Sequence, residues 1–285
     1  MKQIRILLIL MALLVTTGFA WASPYAVEVI GSQGPFGPSP YDDPYSLLGK
    51  PSTNFANWGN STGRVKMVEP AWNISPDGNK LITTINSGAF IDVKFDHRVM
   101  DDPNNPFGMD FLVFGNAFYT GSGYISDSTN MNNCMLAGGG WFEKVTVSVS
   151  QNGEDWYSYI NGPYGDRAFP TQAYEWDREN AGWTDNEMDF TKPVDPALAE
   201  TLVAGGIFVA DAIELYNGSG GGTGFDLAES GYEWIQYIKV AGVNGDGEID
   251  AFSDVAPVPV PAAIWLLGSG LLAIVGLKRK NNLRR

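Results

Sequence analysis

Between Trp141 and Ser150 the chain reads WFEKVTVSVS, and its last six residues alternate without a break. Val145, Val147 and Val149 fall on one side, Thr146, Ser148 and Ser150 on the other. Successive side chains of a β-strand face opposite sides, so this spacing makes a strand with one apolar and one polar face. Such a face needs a second layer to bury it, which commits the chain to packed sheets. AFIDVKF (89–95) repeats the pattern, with Ile91, Val93 and Phe95 set to face a core and Phe90, Asp92 and Lys94 to face away. DFLVFGNAFY (110–119) is the most apolar stretch of the body and reads as a central strand ending near Gly115-Asn116.

Further strands are expected at 25–30 (YAVEVI), 81–85, 207–215 (IFVADAIEL), 232–240 (YEWIQYIKV) and 249–252. Asn152-Gly153 supplies residues that tolerate positive φ, as a type I′ hairpin turn requires, with EDWYSYI as the returning strand. One short helix is expected, with Asp195 as N-cap, Pro196 as first helical residue and Gly205-Gly206 as the stop. Residues 31–51 are loop by their Gly, Pro, Ser and Asp content. Residues 161–193 are polar and aromatic with no clear period, and loops of that length commonly carry function. Short strands, frequent turns and scarce helix indicate an all-β, two-sheet sandwich.

Four stretches, KVTVSVSQNGEDWYSY (144–159), FDLAESGYEWIQYIKV (225–240), GEIDAFSDV (247–255) and FGMDFLVFGNAFY (107–119), resemble the discoidin-like, galactose-binding-like jelly roll of bacterial surface proteins. The resemblance implies a jelly-roll-like β-sandwich with Trp156 buried. It also implies a carbohydrate-binding or adhesive role and, often, a structural Ca²⁺.

The two ends carry their own signals. Residues 1–22 combine a basic start (Lys2, Arg5), an apolar stretch and Ala20-Trp21-Ala22, the pattern of a signal peptide with its helix, cut after Ala22. At the other end, Val258-Pro259-Val260-Pro261 leads into 16 uncharged apolar residues (262–277) and then five bases with no acid. That span falls short of the ~20 residues of a comfortable transmembrane helix, and its basic end stays in the cytoplasm. The plainest reading of these features is a permanent C-terminal membrane anchor, one of the alternatives they leave open. Together they also resemble the PEP-CTERM sorting signal of Gram-negative bacteria, without the usual glutamate between the prolines. That resemblance implies a transient inner-membrane helix, cleavage by an exosortase near the proline motif, and release to the cell surface or extracellular matrix. The chain then divides into a signal peptide (1–22), a body (23–257) and a sorting signal (258–285).

Charge narrows the partners. Of 18 bases the signal region holds two and the tail five, leaving the body 11 against 32 acids, a net charge near −21. This argues against nucleic acid or anionic lipid and leaves carboxylates available for Ca²⁺; extracellular polysaccharide as a partner is what the jelly-roll resemblance implies. The single cysteine, Cys134, excludes an intrachain disulfide, and with the single His97 it excludes a Cys/His zinc set.

Two groups of residues are candidate sites. Asp246, Glu248 and Asp250 in NGDGEID match the middle of a calcium loop, but its first and twelfth positions fall on Gly242 and Ser253, so a true EF-hand is not expected. The jelly-roll resemblance implies that these acids help hold one Ca²⁺; otherwise they are turn and surface carboxylates. Trp176 and Trp183 lie in the long aperiodic segment among Asp177, Glu179 and Asp185, where they either stack on sugar or are buried under the loop. No Gly-x-Ser-x-Gly elbow or phosphate-binding loop occurs, and His97 has Asp96 beside it but no identifiable nucleophile. The body is therefore read as a binding module and not an enzyme. A non-binding matrix component, an anchored adhesin and a glycan-cleaving enzyme are the alternatives.

Overall fold

The computed structural model describes residues 22–56, 62–243 and 245–255. Apart from Ala22, the signal peptide, the Val258-Pro259-Val260-Pro261 motif and the apolar span with its basic end lie outside the described residues. The first eight strands are β1 (Glu28–Gln33), β2 (Asn54–Ala56), β3 (Thr62–Arg64), β4 (Thr83–Ile85), β5 (Phe90–Met100), β6 (Phe111–Gly115), β7 (Phe118–Gly121) and β8 (Leu136–Trp141). After them come β9 (Val145–Ser150), β10 (Tyr157–Ser158), β11 (Tyr174–Asp177), β12 (Gly182–Glu187), β13 (Thr223–Phe225), β14 (Trp234–Gly242) and β15 (Gly247–Asp254). Two helices, α1 (Ala199–Ala204) and α2 (Val209–Leu215), precede β13. Strand outweighs helix by 40% to 11%, which places the described residues in the all-β class.

Two sheets dominate, a five-stranded one in the order β1-β5-β14-β9-β10 and a four-stranded one in the order β13-β6-β15-β4. Their strand pairs are all antiparallel. Between them lies one core: Ile91, Val93 and Phe95 from β5 and the three β9 valines pack with Phe111, Val113 and Phe252. The far face of the four-stranded sheet is covered as well. Leu112, Phe114 and Ala251 join Phe55, Val65 and Phe190 in a second cluster, so β6 is buried at all five positions. A third cluster lies under the helices and includes Tyr119, Cys134, Leu202 and Ile213. Cys134 is a buried packing residue there.

Several expectations are corrected. Residues 209–215 form α2, not a strand: Val209, Ala210, Ala212 and Ile213 are all buried, a spacing that makes one face of a helix. The described residues therefore hold two helices where one was expected in the body. The first begins as predicted, with Asp195 Oδ1 accepting the Ala197 N–H ahead of Pro196–Leu198, and ends at Gly205.

The 151–156 connection is longer than a two-residue turn, since Tyr157 pairs with Val149. Side chains hold it together: Ser150 Oγ accepts the N–H of Asn152 and of Gly153, and Asn152 Oδ1 accepts those of Glu154 and Asp155. The extra residues leave Trp156 half-buried beside the Lys239 ammonium, 4.2 Å from its ring. Tyr159, 2% exposed, is the core ring instead, packed edge-on against Phe225. The aperiodic stretch 161–193 also contains regular structure, the β11-β12 hairpin.

Candidate functional site

On that hairpin Trp176 and Trp183 are directly paired, their ring centroids 4.9 Å apart at 73°. Both are partly buried against the helical cluster. Trp176 Nε1 donates to Asn132 Oδ1 at 2.8 Å, and the Nε1 of Trp183 is buried. The two rings turn edge to face on each other and do not form a flat platform for a sugar.

The closing-strand acids separate. A bulge in β15 between Ile249 and Ala251 breaks the alternation that would put Glu248 and Asp250 on one side. Glu248 bonds the Thr84 hydroxyl at 3.0 Å and the Asn116 side chain. Asp250, 2% exposed, accepts the Ser52 N–H and the Ser52 hydroxyl, each at 2.7 Å. Asp246 is exposed on the turn. Glu248 and Asp250 bond different partners, and neither set includes Asp246.

Glu248 belongs to a different group. Asp166 is buried, with its Oδ1 accepting the Ala117 N–H at 2.6 Å and its Oδ2 the Glu248 N–H at 3.3 Å. It pins the end of β6 to β15. Burial raises its carboxyl well above the ordinary range, and the charges of Glu143 and Glu248 push the same way. Glu143 is pushed up to about 7, chiefly by burial and then by the Glu248 charge.

Asp250 lines a cleft of about 450 Å³ between the segment 46–54 and the loop 75–81. Ser46, Ser52, Thr53, Asn54, Ser75 and Asn79 bring hydroxyls and amides to its wall, and Lys50 and Lys80 bring two ammonium groups. The lysines are paired outward, Lys50 with Glu187 at 2.6 Å and Lys80 with Asp42 at 2.8 Å. Burial pushes Asp250 up to about 7, against the pull of its two Ser52 bonds. A wall that carries hydroxyl, amide and carboxyl groups can hydrogen-bond several hydroxyls of one ligand. Among the described residues no aromatic ring lines it, and the recognition these residues offer is polar.

A further acidic group was missed by the sequence reading. One carboxylate oxygen each from Asp101, Asp110 and Asp226 lie within 4.8 Å of one another. Asp110 is fully buried and accepts from the Asp102 N–H, the Asn105 amide and the Leu227 N–H. Its carboxyl is raised by burial, with those three bonds opposing. Asp101 and Asp110 lie nine positions apart and Asp226 more than 100 positions further on, so no local pattern joins all three. His97, by contrast, is fully engaged: Nδ1 meets Asp96 Oδ1 at 2.9 Å and Nε2 meets Asp254 Oδ2 at 2.7 Å. It clamps structure and leaves no ring nitrogen for chemistry.

No protein-family model matches the chain, and no curated protein matches it in sequence.

Proposed function

We propose that this is an exported cell-surface or matrix protein, sorted by an exosortase, whose jelly-roll-like body binds a polysaccharide segment in the Asp250 cleft. The cleft carries the reading: it is concave, rich in hydroxyl and amide groups, and large enough for a short sugar segment. The antiparallel two-sheet arrangement supports the resemblance to galactose-binding-like domains, and the terminal sequences support export. The paired Trp176 and Trp183 brace the hairpin in this reading and do not touch the sugar.

Glycan-array binding by the full chain, beside Asn79→Ala and Thr53→Ala, tests the site. Each lost hydrogen bond is worth about 0.5–1.5 kcal/mol net, so affinity should fall up to roughly tenfold per variant. Glycan binding undiminished in both variants would move the site elsewhere, and no binding to any glycan would favour a purely structural matrix role.

A structural Ca²⁺ fits Asp101, Asp110 and Asp226 better than Asp246, Glu248 and Asp250. The first set gathers three hard oxygens around one point, the donor chemistry that Ca²⁺ takes. In this reading the ion ties the start of the β5–β6 connection to the turn after β13. Bound at a hundredfold excess over its dissociation constant it stabilises by about 2.7 kcal/mol. Melting in millimolar Ca²⁺ and in chelator should differ for the native chain and not for Asp101→Asn/Asp226→Asn. Equal shifts in both would place any ion elsewhere.

A further inference from the structure

Lys66, just beyond β3, is completely buried. Its ammonium meets three oxygens: the Arg64 carbonyl at 2.8 Å, Asp127 Oδ1 at 2.9 Å and Glu69 Oε2 at 2.5 Å. The rings of Phe55 and Trp183 wall it in, each centroid 6.0 Å from Nζ. The Arg64 N–H donates to both oxygens of Asp127, at 3.0 and 3.1 Å, and its guanidinium lies 3.5 Å away. The Lys66 ammonium is fully withdrawn from water while the Asp127 and Glu69 carboxylates keep partial exposure, so the desolvation penalty falls on the ammonium, and a neutral amide in its place carries none.

We propose that Lys66 and Asp127 condense into an intramolecular isopeptide bond, with Glu69 carrying the protons. One Nζ proton passes through Glu69 to the Asp127 carboxylate, leaving a neutral amine beside a neutral acid. The Nζ electron pair then forms a bond to Asp127 Cγ. The 2.9 Å hydrogen bond already holds amine and carboxyl together, so only a local turn of the two side chains brings Nζ over Cγ. The Arg64 N–H is placed to hold the oxyanion of the tetrahedral species. Glu69 takes the second proton from nitrogen and returns it to the departing hydroxyl, the C–O bond breaks, and water leaves. An ammonium and a carboxylate become an amide and water, Glu69 is regenerated, and no other reactant is consumed. The remaining amide N–H can donate to the Arg64 carbonyl, and the amide oxygen can accept the Arg64 N–H, so both stay satisfied.

Asp127 is the acceptor for two reasons. The oxyanion donor sits on Asp127, not on Glu69. Glu69 is also already joined to Lys66 through the reciprocal backbone bonds Lys66 N–H to Glu69 O, 2.9 Å, and Glu69 N–H to Lys66 O, 2.8 Å. The Lys66–Asp127 link spans 61 positions and fastens the chain after β3 to the loop between β7 and β8. It supplies a covalent staple to a chain whose single cysteine excludes an intrachain disulfide.

The test is peptide mapping of the denatured, purified full chain by mass spectrometry. A branched peptide joining Lys66 to Asp127, one water lighter than its linear parts, is the expected result. Linear peptides alone in the native sequence would overturn the proposal, and a Lys66–Glu69 branch would overturn the choice of acceptor. Glu69→Gln keeps the side-chain shape without proton transfer, so it should restore the missing water, fold with unchanged circular dichroism and melt earlier than the native chain. A branch that persists in Glu69→Gln removes Glu69 from the proton path. Asp127→Ala, digested alongside, must lack the branch.

Discussion

The two main sheets share one core and differ in what lies behind them. Behind the four-stranded sheet, Leu112, Phe114 and Ala251 pack into a second apolar layer. Behind the five-stranded sheet no such layer appears among the described residues. Ser148 and Ser150 of β9 are buried there, but most of its outer side chains are partly exposed, and several pair cation with ring: Lys239 over Trp156 and Phe90, Lys94 over Tyr237, Arg98 over Trp234. The strands record the difference. β6 is buried at all five positions, while β5 buries Ile91, Val93, Phe95 and Val99 and leaves the residues between them at least partly open. A strand covered on both faces needs continuous apolar sequence, and one covered on a single face needs only alternation.

Truncation should expose this asymmetry most strongly. Phe114→Ala, which empties a ring from behind the four-stranded sheet, should cost about 3–5 kcal/mol in denaturant unfolding. Next in size is the pH response of Asp250, the acid buried in that same sheet. Its folded pKa, about 7, lies above its unfolded value, so the folded state holds its proton longer. Stability then falls as pH rises from about 4 to 7, by at most about 1.4 kcal/mol per pH unit from this group. Asp250→Asn should flatten that stretch of the melting-temperature profile; an unchanged slope would assign it to Asp166 and Glu143.

The open sheet should be more tolerant. Trp156→Ala loses a cation–π contact and partial burial, and about 1 kcal/mol is expected. A loss matching that of Phe114→Ala would erase the distinction between the sheets. Smallest of all is Lys94→Met, which breaks a 3.6 Å pair with Glu28 at the exposed edge; a few tenths of a kcal/mol is the expected change.

Legibility followed the same division. The valines of β9 and the apolar side chains of β5 were placed by period alone, because one face of each strand is set by the core. β6 was readable as central from its unbroken apolar run. Residues 207–215 misled because IFVADAIEL has strand composition, and only the burial of Val209, Ala210, Ala212 and Ile213 along one face separates helix from strand there. Trp156 was misplaced by a loop whose length is set by the Ser150 and Asn152 side chains. The bulge at Asp250, which parts it from Glu248, leaves no mark in alternation. The Asp101–Asp110–Asp226 group and the Lys66–Asp127 contact join distant segments, and no local pattern can announce them.

The His97 clamp bears on how the body takes strain. Near it, the Ser23 N–H donates to Asp96 Oδ2 at 3.1 Å, Asp254 N–H donates to the Pro24 carbonyl at 2.7 Å, and Tyr25 bridges Ser253. Both ends of the described body therefore emerge at one corner. A pull transmitted through Asp254 enters β15, which is hydrogen-bonded on both sides by β4 and β6, and reaches β5 in the opposite sheet through the imidazole. The carboxylates of Asp254 and Asp96 raise the His97 pKa, so its ionic contribution is complete in acid and fades as pH climbs through that raised value. In a tethered protein, this corner would yield at lower force in alkaline surroundings than in acidic ones.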